Sequence, residues 1–94
     1  MRVIIKEPGK QARWGWLDNT LPALQEAVGG YIETVTVTTD VVLIVNEEGL
    51  LYDLPENRVL GYPFRGTVVA CGVKGDEFAD VPIEAMRGIF GGAA

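Results

Sequence analysis

Arg2 to Lys6 is an apolar run between two cations, closed by the turn signal Glu7-Pro8-Gly9. Arg13 to Leu17 alternates and sets Trp14 and Trp16 on one face, because side chains two apart in a strand point the same way. Together the two segments predict a hairpin with a glycine-containing loop. The period then lengthens. Leu21, Leu24 and Val28 recur at three- and four-residue spacing, which predicts a helix over about 20–28. Asn19 is its expected cap, Pro22 falls in the first turn, and Gly29-Gly30 supplies a left-handed residue to end it. Tyr31 to Thr38 is rich in β-branched residues and predicts a strand, turned by Thr39-Asp40. Val41 to Asn46 is apolar without alternation up to its last residue, the mark of a strand covered on both faces. Asn46-Glu47-Glu48-Gly49 reads as a hairpin loop and Leu50 to Leu54 as the short returning strand. Pro55 to Gly66 follows neither period and reads as the longest irregular segment. Thr67 to Val73 predicts the last strand, turned by Lys74-Gly75-Asp76, and Val81 to Phe90 a short helix capped by Asp80. Gly91 to Ala94 reads as a frayed tail. No segment repeats another.

Strands on both sides of one helix, mostly joined by short turns, predict an α+β fold. The expected architecture is a small mixed, mostly antiparallel sheet with one main helix (about 20–28) and a short C-terminal helix. At 94 residues the chain makes one domain, 1–94, with enough length for a modest core. The 48% apolar content suits a globular protein and is high for so short a chain, which predicts that a partner subunit covers some of it.

Charge and residue usage narrow the chemistry. Eight basic residues stand against 13 acidic ones, with no Lys/Arg cluster, so general nucleic-acid binding is not expected. Cys71 is the single cysteine, which excludes an intrachain disulfide and suits a reducing cytoplasm. The longest apolar runs fall far short of a membrane span, and residues 1–6 read as a strand, not a leader. The chain has no histidine and no serine, which removes the usual nucleophile–base pairs and the commonest metal ligands. No enzyme activity, metal or cofactor is expected.

Several segments taken in order resemble the family catalogued as domain of unknown function 3846. They are Glu7-Pro8-Gly9-Lys10, Asn19-Thr20-Leu21 with Leu24-Gln25, and Val28-Gly29-Gly30-Tyr31-Ile32-Glu33. Asn46-Glu47-Glu48-Gly49, Leu54-Pro55-Glu56-Asn57-Arg58, and Gly66-Thr67 through Gly72 continue the match across residues 3 to 80. The chain departs after Asn57-Arg58, where only Val59 to Phe64 fill a segment that is often longer and more polar in the family. The resemblance implies a small cytosolic protein of Gram-positive bacteria, their phages or mobile elements, and no assigned activity.

Among the residues that could carry function, Asn57, Arg58, Tyr62, Phe64, Arg65, Gly66 and Thr67 form the first candidate. Paired arginine forks suit phosphate, a glycine lets backbone N–H groups approach an anion, and the two rings could stack on a base. The plainer alternative pairs Arg58 and Arg65 with Glu56 or Asp53 on the surface. With the phage context that the resemblance implies, this candidate gives a non-enzymatic sponge that sequesters a nucleotide immune signal, of cyclic-dinucleotide or ADP-ribose type, in the bacterial host cytosol. The alternative function is a protein–protein module or inhibitor of a host enzyme. Trp14 and Trp16 serve either the core or an interface, and a homodimer or higher homo-oligomer is expected. Gly29-Gly30-Tyr31 reads more simply as a helix end than an anion nest, and Glu47, Glu48, Asp53 and Glu56 as solvated acids. Cys71 lies mid-strand without an activating neighbour and should be inert.

Overall fold

The structure, a computed structural model, describes residues 1–91. In chain order the elements are β1 (Arg2–Lys6), β2 (Arg13–Trp16), α1 (Leu21–Val28), β3 (Ile32–Thr36), β4 (Val41–Asn46), β5 (Glu56–Val59), β6 (Tyr62–Arg65), β7 (Val68–Lys74), β8 (Glu77–Ala79) and α2 (Ala85–Phe90). Five strands run across the main sheet in the order β2-β1-β7-β4-β3, and β8 pairs with the far end of β7. Every pairing in it is antiparallel. The mostly antiparallel α+β sheet expected from the sequence is therefore present, with a main and a short C-terminal helix. The predicted tail lies largely outside the described residues.

The sheet is covered on both sides, and the sequence period explains how. All six residues of β4 are buried. Val42 and Ile44 join Val3, Val69 and Cys71 on one face, where α1 lays down Leu24 and Val28. Leu43 and Val45 join Ile4, Val68 and Ala70 on the other, beneath Val59, Val81, Ala85 and Met86. Burying a side chain such as Leu24 is worth about 1.5–3 kcal/mol, so the two faces together hold the layers in place.

The cap of α1 is Thr20, not Asn19: the Ala23 N–H donates to Thr20 Oγ1, and Thr20 has the extended backbone of a cap. Asn19 instead donates its amide to the Phe78 carbonyl at 2.9 Å, tying the helix entrance to β8. Gly29 closes the helix in the left-handed conformation, and the N–H groups of Gly29 and Gly30 both return to the Gln25 carbonyl. At the other end of the chain, α2 starts only at Ala85 and has no side-chain cap. Asp80 accepts from the Arg2 backbone N–H at 2.7 Å, so it fastens β1 and caps nothing.

Two further expectations are corrected. Leu50 to Leu54 is not a strand but a run of turns: Tyr52 N–H bonds Glu48 O, and Leu54 N–H bonds Gly49 O. Its apolar residues Leu50, Leu51 and Tyr52 are exposed, so no buried face exists to hold them extended. Conversely, Pro55 to Gly66 is not irregular. It forms the antiparallel hairpin β5–β6, with Asn57 opposite Phe64 and Val59 opposite Tyr62. Leu60 and Gly61 make its turn with φ of 52° and 76°. Two successive positive values are what a tight two-residue hairpin turn needs, and glycine adopts them freely while leucine does not.

Candidate functional site

The hairpin β5–β6 is laid over the face of the sheet that carries Leu43 and Val45. Asn57 fixes its open end. This buried amide donates to the carbonyls of Lys6 at 2.7 Å and Gly66 at 2.9 Å, and its oxygen accepts from Lys6 Nζ at 3.0 Å. Gly66 N–H closes the base by donating to Pro55 O. The opposite end, with Leu60 and Tyr62, reaches out toward β3. Between hairpin and sheet runs a groove of about 790 Å³.

The groove's floor is aliphatic: Val35 and Val37 on the β3 side, Leu43 and Val45 from β4, and Val59 from β5. Its wall is aromatic, with the Tyr62 and Phe64 rings 4.7 Å apart at a tilt of 51°. Arg65 follows on the same strand and leaves it on the side opposite the rings, across from Glu56, and both residues line the space together with Glu33. Arg65 Nη1 rests 3.3 Å from Asp53 Oδ1 and 3.4 Å from the Leu54 carbonyl. Asp53 is almost fully exposed, so this pair is weak and the guanidinium can exchange it for another anion at little cost.

The residues singled out from the sequence therefore separate. Tyr62, Phe64 and Arg65 come together along the groove. Asn57 is turned inward and its amide is taken up by the backbone. Arg58 lies outside the groove lining and holds the Gly61 carbonyl at 2.8 Å and Glu56 at 3.7 Å, across the hairpin's own turn. The surface pairs weighed for the arginines, Arg58 with Glu56 and Arg65 with Asp53, are both formed. Gly66 sits at φ 87° as the bend out of β6, and Thr67 follows it outside any strand. Sequence reasoning missed the floor of the groove, Val35 and Val37. Their spacing of two with Glu33 was the available signal, since it marks one face of a strand.

The remaining candidates are quieter. Beside Gly29, Gly30 and Tyr31 lies a shallow depression also lined by Glu48 and Tyr52. Helix carbonyls end there, so it repels anions. Buried Asn46 satisfies one of them by donating to Val28 O at 3.1 Å. Among the described residues no three potential metal-binding side chains gather, and no helix is long and apolar enough to cross a membrane. Trp14 and Trp16 stand on the outermost strand β2, on the same face as Ile4 by register, and Trp16 is 73% exposed.

With the geometry in hand, the comparison with known families is informative over nearly the whole chain. A family model described as Domain of unknown function (DUF3846) matches residues 1–91. The chain belongs to this family. No curated protein and no solved structure matches it. The DUF3846 match takes in the groove, the hairpin and both helices.

Cys71 is fully buried in β7, and burial pushes its thiol from an ordinary 9.0 up to about 12. The unfolded thiol ionises first, so between pH 9 and 12 the folded state holds the extra proton. Stability from this group is intact below pH 9 and falls as pH rises above it, at about 1.4 kcal/mol per pH unit. Urea denaturation at pH 8, 9 and 10 should show the loss setting in above pH 9 in the native chain and a smaller change in Cys71→Ala. That variant should cost only about 1 kcal/mol at pH 7. Equal slopes would mean that the thiol is not desolvated.

Proposed function

We propose that this DUF3846 protein is a non-enzymatic binding protein that takes a small anionic molecule, a nucleotide signal, into the groove between the β5–β6 hairpin and the sheet. The observation that carries the reading is the groove itself: about 790 Å³ of space with an aliphatic floor, two clustered rings and one loosely held arginine. Its size falls within the usual range for small-molecule sites, and an apolar lining with few placed polar groups is their usual make-up. A base would lie on the valines against Tyr62 and Phe64. The phosphate end would belong at Arg65, whose cross-strand neighbour Glu56 is already paired with Arg58, and the Glu33 carboxylate suits the N–H groups of a base edge.

Sequestration rather than turnover is supported by the chain's composition. It has no histidine or serine, and its one thiol is buried and hard to ionise. The lone free cysteine also favours the bacterial host cytosol as the place of action. The phage-borne, anti-defence part of the reading rests on what the family resemblance implies.

The test is a thermal-shift panel of cyclic dinucleotides and ADP-ribose derivatives, followed by calorimetry with whichever one raises the melting temperature. Arg65→Ala should weaken binding at least tenfold, equivalent to about 1.4 kcal/mol. Tyr62→Ala should lose a stacking contribution of roughly 1–3 kcal/mol. Arg58→Ala should bind almost normally, because Arg58 lies outside the groove lining and its guanidinium is held at the hairpin's own turn. A panel without any shift, or an Arg65→Ala protein that binds like the native one, would overturn the reading. The second reading is a protein–protein module, favoured by the exposed Trp16 on the outermost strand. It predicts that Trp16→Ala abolishes capture of a host enzyme and leaves nucleotides without effect.

A further inference from the structure

β3 ends the sheet, and its hydrogen-bonding edge is open. Tyr31 O accepts from Glu47 N–H and Val37 N–H donates to Val41 O, so these are the bonded pairs of the β3–β4 ladder. Counting inward by the register, Glu33 with Val45 and Val35 with Leu43 are bonded too. The N–H and C=O groups of Ile32, Thr34 and Thr36 must then point outward, away from β4. Natural edges are usually blunted by lysine, proline or a bulge. Residues 32–36 contain neither lysine nor proline, and they pair with β4 in unbroken register. The opposite edge, β2, is shorter and carries Arg13 and Gly15.

We infer that a second copy of this chain adds its own β3 to this edge, antiparallel and two-fold symmetric, centred on Thr34. The sequence selects both occupant and register. With Thr34 facing its own copy, Ile32 faces Thr36 and Glu33 faces Val35, so every outward group is used and no like charges meet. Centring on Glu33 would set two carboxylates opposite each other. Centring on Val35 would draw in Thr38, whose N–H already serves Val41 O. The added strand would also cover the hairpin tip, where Leu60 and Tyr62 are 57% and 61% exposed beside half-buried Val35 and Val37. A symmetric pair is the commonest protein assembly. The inference makes no use of a ligand in the groove.

Light scattering on the native chain at high micromolar concentration should give twice the monomer mass. Thr34→Pro deletes an outward N–H that β4 does not use, and proline is tolerated at sheet edges. It should give a monomer with the native circular dichroism spectrum. In a Cys71→Ala background, Thr34→Cys should oxidise to a covalent dimer at least tenfold faster than Glu33→Cys. A bonded antiparallel pair sets Cα atoms about 5.5 Å apart, within the disulfide range of roughly 4.4–6.8 Å. The cross-link test stands even if the proline variant does not fold. A monomeric native chain overturns the inference. So does a folded Thr34→Pro dimer, or cross-linking no faster at 34 than at 33.

Discussion

Gly72→Ala should destabilise the protein by roughly 3 kcal/mol or more, the upper end of what overpacking costs. Gly72 lies in the middle of β7, paired with Val41 on one side and Ala79 on the other. After β8 the chain crosses directly over it. A Cβ there would sit 2.2 Å from the Asp80 carbonyl oxygen, and that neighbour is backbone. Neither side can yield cheaply. β7 is held between β4 and β8, while Asp80 accepts from Arg2 and the next residue, Val81, donates to Arg2 O. For a domain with about 5–15 kcal/mol in total, 3 kcal/mol lowers Tm by on the order of 15 °C. Gly88→Ala is the control. It is exposed within α2 with nothing within 4 Å of the added Cβ, so it should be neutral or stabilise by about 0.5–1 kcal/mol. Thermal melts of the two variants decide the matter, and equal Tm values would mean that the crossing can shift.

That crossing was half legible in the sequence. A glycine inside an otherwise apolar strand signals close approach, but the chain that approaches cannot be named without the fold. The helix α1 was legible because it shows one clean period over its length, and the strand β4 because its apolar run is unbroken, as a strand covered on both faces requires. The hairpin β5–β6 was not. Its inward residues include the polar Asn57 and the largely exposed Tyr62, the apolar Leu60 sits in its turn, and Pro63 interrupts the run. The turn misled as well: Gly61 fits a tight turn, but Leu60 occupies a left-handed position where asparagine or aspartate is usual. Leu50 to Tyr52 failed in the opposite sense, with a strand's composition but no face to cover. The candidate site inherited both errors. Tyr62, Phe64 and Arg65 could be picked by residue type, but their shared strand could not, nor the valines of β3 that complete the groove. An inward amide and an outward guanidinium look alike in a motif such as Asn57-Arg58.

Asn57→Ala separates those two residues experimentally, and it should cost on the order of 3–4 kcal/mol. The native amide serves the carbonyls of Lys6 and Gly66 and accepts from Lys6 Nζ. Truncation leaves two carbonyls at the base of the hairpin without a donor, and each unsatisfied buried group costs about 1–3 kcal/mol. Among the described residues Lys6 keeps only the Glu7 carbonyl for its ammonium. The damage should be local first. Amide hydrogen exchange in β5 and β6 should speed up more than in β4 and β7, because Asn57 joins the hairpin to β1 and takes no part in the main sheet. Arg58→Ala, one residue along, breaks only exposed contacts and should cost less than about 1 kcal/mol. If the groove holds a ligand, Asn57→Ala should lose it through loosening of the hairpin wall, and in parallel with stability. Denaturant melts, exchange and ligand titration on both variants would settle the role of each. An Asn57→Ala protein as stable as the native chain, yet unable to bind, would instead place Asn57 in direct contact with the ligand.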